Sequence, residues 1–290
     1  MNPSIVAARF NLRATKSIGS CMSRLLLLAF PVALVPGVEA RPEPAKPDAL
    51  VSVQKGTLPI IVSAPHGGKI AIPDVPERLG LGVKQFAKVR DTNTSELTEK
   101  FVAALEKQLD GKVWFAIARF ERKYLDVNRP RDGAYENDGA KPAYDAYHDA
   151  LAAACKAVKD KHGAGLLLDL HGQGVFENQI CRGTQNGKSV KLLAQRHGWP
   201  AVTGKNSVLG RMERAGYQVL PKCNAAEETR EEVQFNGGFI VQNYGSHTGY
   251  GIDAIQFEFG TYLREREAYP RTAADLADAV AAFHDAHLKK

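Results

Sequence analysis

The sequence predicts an α/β fold built on a mixed, mainly parallel central sheet, and three observations lead there. Short apolar runs alternate with amphipathic stretches along most of the chain, the pattern of strand–helix–strand units. One of these runs, "LLLDLHGQG" at 166–174, is apolar almost without a break, as a strand covered on both faces must be. The 290 residues, 44% hydrophobic and 24% charged, are ample for one large core.

Taken in order, "LPIIVSAP" (58–65) reads as a strand, "SELTEKFVAALEKQL" (95–109) as an amphipathic helix and "KVWFAIARF" (112–120) as the next strand. A loop follows, "ERKYLDVNRPRDGAYENDGAKP", then a helix over about 143–162 and the strand "GLLLDL". Beyond a long irregular region come the helix "SVKLLAQRH" (189–197) and the strands "YQVLP" (217–221) and "GGFIVQNY" (237–244). The strand "IDAIQFEFG" (252–260) and a final helix from Arg271 complete the set, with no internal repeat.

The first 40 residues stand apart. Arg9, Arg13, Lys16 and Arg24 precede an apolar stretch from Leu25 to Val35, and small residues run up to Ala40, the layout of a secretory signal. Met22 offers an alternative start with a shorter signal. The apolar stretch is shorter than the roughly 20 residues a membrane span requires, so no stable span is expected once it is removed. Residues 41–50 read as a linker and 51–290 as one catalytic domain, periplasmic or secreted. Four of the 38 basic and one of the 32 acidic residues lie in the first 40, so the net charge of +6 falls to +3 without them. That balance, with no dense basic run interleaved with aromatics, argues against a nucleic-acid partner. Cys181 and Cys223 lie in loop-like sequence and could pair, Cys155 reads as a buried thiol on a helix, and no cysteine zinc spacing occurs.

The chemistry gathers at the carboxyl ends of the expected strands. His66 follows "PIIVSAP", His171 follows "GLLLDL" and Glu258 lies near the end of "IDAIQFEFG", so all three face the crevice where open α/β sheets bind ligands. Two neutral imidazoles and one carboxylate form a common catalytic zinc set, and Asp91 or Glu96 in "VRDTNTSEL" can supply the carboxylate. Against this, Asp91 could be a helix N-cap, the glycines at 67, 68, 172 and 174 could serve tight turns, and Glu258 could pair with Arg264. In "RFERKYLDVNRP", Arg122, Asn128 and Arg129 offer donors suited to a substrate carboxylate, and Asp126 reads as a brace for that loop or an arginine. Tyr124, Arg182 and His247 are weaker candidates for substrate contact.

Together, "SAPHGG", "RDTNTSEL", "RKYLDVNRP", "LLLDLHGQG", "NGGFIVQNYG" and "DAIQFEF" resemble the N-formylglutamate amidohydrolase family, itself similar to zinc carboxypeptidases and aspartoacylases. The resemblance runs from about Pro59 to Arg264. It implies a phosphorylase/hydrolase-like three-layer fold, a Zn2+ ion and hydrolysis of an amide next to a carboxylate. By position, it places the metal on His66, Asp91 and His171, the arginine motif on Arg122, Asn128 and Arg129, and the late glutamate on Glu258. Glu258 is then the general base, Arg122 a catalytic and substrate-binding residue, and Arg129 with Asn128 the carboxylate clamp. Two departures stand out: Gly67 and Gly172 occupy positions where the family pattern has serine. Lys69 also stands where the carboxypeptidase pattern has its glutamate ligand.

The expected activity is therefore zinc-dependent cleavage of an N-acyl amino acid, or of a peptide with a free carboxylate. The alternatives are a secreted metallo-carboxypeptidase or cell-wall peptide amidase on the same scaffold, and a non-catalytic binding protein. "GSHTG" (245–249) lacks the nucleophile-elbow pattern, which argues against a serine hydrolase.

Overall fold

The structure, a computed structural model, describes residues 47–223 and 231–289, all within the second of the two units into which the chain divides, Glu43–Lys290. The expected signal at 1–40 lies outside the described residues. Pro47–Leu50 forms one helical turn, and Leu50 is buried.

Seven strands form the sheet: β1 Val51–Gln54, β2 Ile60–Ala64, β3 Trp114–Ala118, β4 Leu166–Gln173, β5 Gln179–Gly183, β6 Gln218–Leu220 and β7 Asp253–Gly260. Their order across the sheet is β1-β3-β2-β4-β7-β5-β6. The central pairs β3/β2, β2/β4 and β4/β7 are parallel, β1/β3 and β5/β7 are antiparallel, and β5/β6 is parallel. This is the mixed, largely parallel sheet expected. Its main helices are α1 Thr94–Leu109, α2 Lys141–His162, α3 Lys191–His197, α4 Val208–Arg214, α5 Phe239–Tyr244 and α6 Tyr269–His287.

Each face of the sheet is covered by its own apolar layer. On one side, Leu97, Phe101 and Leu105 of α1 and Leu276, Val280 and Phe283 of α6 join Leu166, Leu168 and Leu170 of β4 and Phe257 and Phe259 of β7. On the other, Tyr147, Leu151 and Val158 of α2 and Ile240 and Tyr244 of α5 join Ile61, Leu167 and Ala254. Because side chains alternate along a strand, the parity that sends Leu166, Leu168 and Leu170 to the first layer sends Asp169 and His171 to the second. A run that reads as uniformly apolar thus places its two polar side chains on one face, near the carboxyl end.

Two expectations are corrected. "GGFIVQNY" is not a strand, because Phe239–Tyr244 is the helix α5. A six-residue segment does not reveal its period, and here Ile240, Val241 and Tyr244 fall on one buried helical face, while Gly237, at φ 104°, turns the chain into it. Cys181 and Cys223 do not pair: Cys155, Cys181 and Cys223 are all buried free thiols. Both lie in the β5/β6 region, where β5 ("QICRG") sits within sequence read as irregular. Its short antiparallel pairing with β7 leaves no amphipathic signature. Among the described residues, no helix is long and apolar enough to cross a membrane.

His148 on α2 ties the arginine-motif loop to α5. Its Nε2 lies 3.0 Å from the Val127 carbonyl oxygen, to which it donates, and its Nδ1 lies 3.0 Å from the Tyr244 hydroxyl. Burial lowers its pKa from 6.5 to about 4, so the folded chain holds it neutral while an unfolded chain protonates it near 6.5. The stabilisation is therefore full above pH 6.5 and is lost as pH falls towards 4, an effect of about 3 kcal/mol. Urea denaturation should show a larger fall in stability between pH 7 and pH 4.5 for the native chain than for His148→Gln. Equal falls would remove His148 as the cause.

Candidate metal centre

The parallel strands β2, β4 and β7 bring their carboxyl ends to one level, and the site is assembled there. His66 lies two residues beyond β2, His171 lies on β4, and Glu258 stands directly opposite His171 on β7. The third donor arrives from the segment before α1, whose backbone is tied to the first histidine: the Asp91 N–H donates to the His66 carbonyl at 3.0 Å. The N-cap position of α1 belongs to Asn93, which leaves the Asp91 carboxylate to face the histidines. Glu96 points elsewhere and pairs with Lys69.

Three donor atoms converge. The Nδ1 atoms of His66 and His171 are 3.1 Å apart, and Asp91 Oδ2 lies 3.4 Å from the first and 3.6 Å from the second. All three residues are buried, and they are the one group of three or more His, Cys, Asp or Glu donors that could share an ion among the described residues.

What aims the imidazoles is a carboxylate behind each ring. Asp126 Oδ1 lies 2.7 Å from His66 Nε2, and Asp169 Oδ2 lies 2.8 Å from His171 Nε2. Each carboxylate accepts the Nε2 proton, so each ring turns its Nδ1 lone pair inward, the usual arrangement of a histidine prepared for a metal. Two lone pairs and a carboxylate oxygen facing one another repel unless positive charge lies between them. The donor set therefore fits a divalent cation, and two nitrogens with one oxygen form a familiar catalytic zinc set that leaves a coordination position free.

The electrostatics agree. Burial opposes charge on Asp91 and Asp126, yet the neighbouring imidazoles hold both carboxyls below their ordinary range, with Arg122 adding to the effect at Asp126. Burial likewise opposes a charged His171, but Asp169, Asp91 and Glu258 raise its pKa well above the ordinary value. Asp91 is held further by the Gly172 N–H, which donates to Oδ2 at 2.9 Å. Glu258 differs from the other carboxyls: burial pushes it up to about 7, against the pull of His171 and Arg122. Its Oε1 accepts from Gln256 Nε2 at 2.9 Å, and Gln256 Oε1 in turn accepts from the Gly238 N–H at 2.7 Å.

The arginine motif meets the cluster through Asp126. This carboxylate accepts from Arg122 Nε at 2.9 Å and from the Asn128 N–H at 2.9 Å, so one aspartate braces the loop, an arginine and a histidine at once. Arg122 Nη1 reaches to 3.8 Å from Asp91 Oδ1. Asn128 Oδ1 accepts from the Ile240 N–H at 2.9 Å, which turns its amide NH2 towards His171, 3.4 Å from Nε2. Arg129 lies beside this group but donates to the carbonyls of Asn128 and Gln85, each at 2.9 Å. Arg264 does not pair with Glu258; it donates to the carbonyls of Phe259, Thr92 and Gln173. Arg182 bonds Glu232, and its guanidinium stands over Trp199, which belongs to the apolar layer on the other face. His247 lines a groove with Lys188 and Lys191, and Tyr124 lies under Lys123.

Packing leaves little room for a side chain at Gly67 and Gly172, the two positions where the pattern that the sequence resembles has serine. A Cβ at Gly67 would stand 2.3 Å from Ser95 Oγ, and one at Gly172 would stand 2.4 Å from the guanidinium carbon of Arg264. Ser95 and Arg264 fill, from the other side, the space those serine side chains would take. Sequence reasoning missed Asp169 as part of the site, although its spacing was legible: two residues before His171 on a strand is the same face.

No family model matches the chain, and no curated protein does. Among solved structures, an N-formylglutamate amidohydrolase from Ralstonia eutropha JMP134 is similar at a TM-score of 0.58 and 16% identity, covering 82% of this chain and 98% of that one. A gene product of Agrobacterium tumefaciens is similar at 0.52 and 13%, covering 81% and 95%. At these identities the likeness is one of fold, and the chain is a distant structural relative of that amidohydrolase.

Replacing Asp169 by Asn leaves every candidate donor in place but removes the carboxylate behind His171. Zinc affinity, measured by competition with a chromogenic chelator, should fall about 10- to 100-fold. His171→Ala should lose the bound metal altogether, and full metal content in that variant would reject the donor assignment.

Proposed function

We propose that the chain is a zinc-dependent amidohydrolase that cleaves an amide bond next to a carboxylate, in the manner of the N-formylglutamate amidohydrolases, and that it works in the periplasm or outside the cell. The observation that carries this reading is the convergence of two carboxylate-backed Nδ1 atoms with Asp91 Oδ2, directly beside a carboxyl, Glu258, that burial holds near neutrality. His66, Asp91 and His171 would hold the ion. Bound there, Zn2+ supplies Lewis acidity towards a carbonyl oxygen and acidifies water.

The chain's own groups do the remaining work. Gln256 occupies Glu258 Oε1, leaving Oε2 to take a proton from water and return it to the leaving amide nitrogen. A carboxyl with a pKa near the working pH suits both halves of that exchange. Arg122, held by Asp126 with Nη1 directed towards Asp91, stabilises developing negative charge on the reacting carbonyl. The Asn128 amide and the Arg129 guanidinium hold the substrate carboxylate. For Arg129 this means exchanging the Gln85 carbonyl for the substrate. Fixing the carboxylate sets the register of the scissile bond, where small displacements are costly.

Glu258→Gln is isosteric and should keep the metal while lowering kcat about 100-fold or more on N-acyl amino acids. Unchanged turnover would make Glu258 structural. Arg129→Lys should raise KM for substrates with a free carboxylate and leave neutral amides unaffected. Equal losses on both would contradict the clamp. Zinc analysis of the purified chain, with a panel of N-acyl amino acids and short peptides, tests the reading as a whole.

A further inference from the structure

The strand register continues the site sideways. On one face and at one level stand His171 of β4, Glu258 of β7, Cys181 of β5 and Leu220 of β6, each paired with the next. Paired residues on neighbouring strands project to the same side, so the four side chains form a row, and two strand spacings of this row carry it about 10 Å beyond Glu258. At its far end is a cavity of about 450 Å³ with largely apolar walls, Phe176, Cys181, Leu220, Pro221, Val233 and Phe235, and with charged residues, Lys222 and Glu231 among them, completing its lining. That volume is ordinary for a small-ligand pocket. The rings of Phe176 and Phe235 meet edge to face with centroids 6.3 Å apart. The segment carrying Phe235 is pinned to β5, since Glu232 accepts from Arg182 Nε and from the Thr184 N–H, both at 2.7 Å.

The other end of the site has the opposite character. Arg122 lies on the β2 side of the cluster, bound through Asp126 to His66, and Asn128 follows in the same loop with its amide beside His171, so Arg122 and the largely apolar cavity flank His171 and Glu258 from opposite directions. For a substrate whose carboxylate sits at the arginine motif and whose scissile carbonyl lies over His171 and Glu258, the row offers a path for the remaining arm. That arm is the acyl group.

We propose that this cavity is the acyl-chain pocket, and that the substrate is an N-acyl amino acid with an apolar acyl group of hexanoyl to octanoyl size rather than a formyl group. The inference rests on the amidohydrolase reading above. Leu220 and Phe235 are its specificity-determining residues, and Cys181 forms the apolar floor between the pocket and Glu258. Its thiol stays neutral, because burial and the Glu258 carboxylate push it up to about 12.

The test is an acyl ladder on one amino acid, from N-formyl through N-acetyl and N-hexanoyl to N-octanoyl, with the zinc-loaded full chain. In parallel, calorimetry measures binding of the N-acetyl and N-hexanoyl compounds to zinc-loaded Glu258→Gln. We expect kcat/KM to rise about fourfold per methylene from acetyl to hexanoyl, the value of burying each one. Leu220→Trp, which fills the pocket, should cut the hexanoyl-to-acetyl ratio at least tenfold. Phe235→Ala, which opens the far wall, should lower the same ratio and serves if the tryptophan variant does not fold. Turnover that ignores chain length overturns the pocket and leaves the amidohydrolase reading standing. Graded binding that Leu220→Trp abolishes, with no turnover on any rung, supports the pocket and rejects the hydrolase. Neither turnover nor graded binding rejects both.

Discussion

Two buried carboxylates set the direction of everything in the site. Asp126 and Asp169 each accept the Nε2 proton of a histidine, and this leaves two Nδ1 lone pairs facing one another 3.1 Å apart with Asp91 beside them. Without those acceptors the rings could flip or tautomerise. The arrangement is costly unless a cation completes it, since burying acidic groups is unfavourable until they are paired. The fold supports this by surrounding the cluster with rigid elements: His171 and Asp169 sit within a strand covered on both sides, and Asp126 is fixed by Arg122 and the backbone of its own loop.

The same geometry separates the roles of the carboxyls. Asp91, Asp126 and Asp169 lie against imidazoles. Glu258, across the strand from His171, accepts from a neutral amide instead and is pushed upward by burial. The surroundings of Asp91 and Asp126 favour permanent charge, and those of Glu258 favour a group that can gain and lose a proton near neutral pH. A sheet delivers this contrast economically, because adjacent strands hold neighbouring side chains at fixed spacing while each contributes its own surroundings.

Much of this was legible in the sequence where a single strand carried the signal. The apolar run before His171, the matching run before His66 and the late strand holding Glu258 marked the crevice, and the segment after Arg90 supplied the third donor. Legibility ended where partners come from distant segments. The pairing of His66 with Asp126 spans 60 residues and has no local pattern. Glu96 could be set aside only once Lys69 was seen to hold it. The helix at Phe239–Tyr244 and the strand at Gln179–Gly183 were both too short for their period to show, and their identities are set by packing against β7 and the arginine loop. The pocket beyond Glu258 depends on register across β7, β5 and β6, which no periodicity encodes.

The contact between Gly172 and Arg264 bears on how such a chain can change over time. A side chain at 172 and the guanidinium from 264 compete for one volume, so any residue larger than glycine at 172 requires the end of the arginine to move or to be lost. What position 172 tolerates is thereby decided by a side chain from a distant part of the chain.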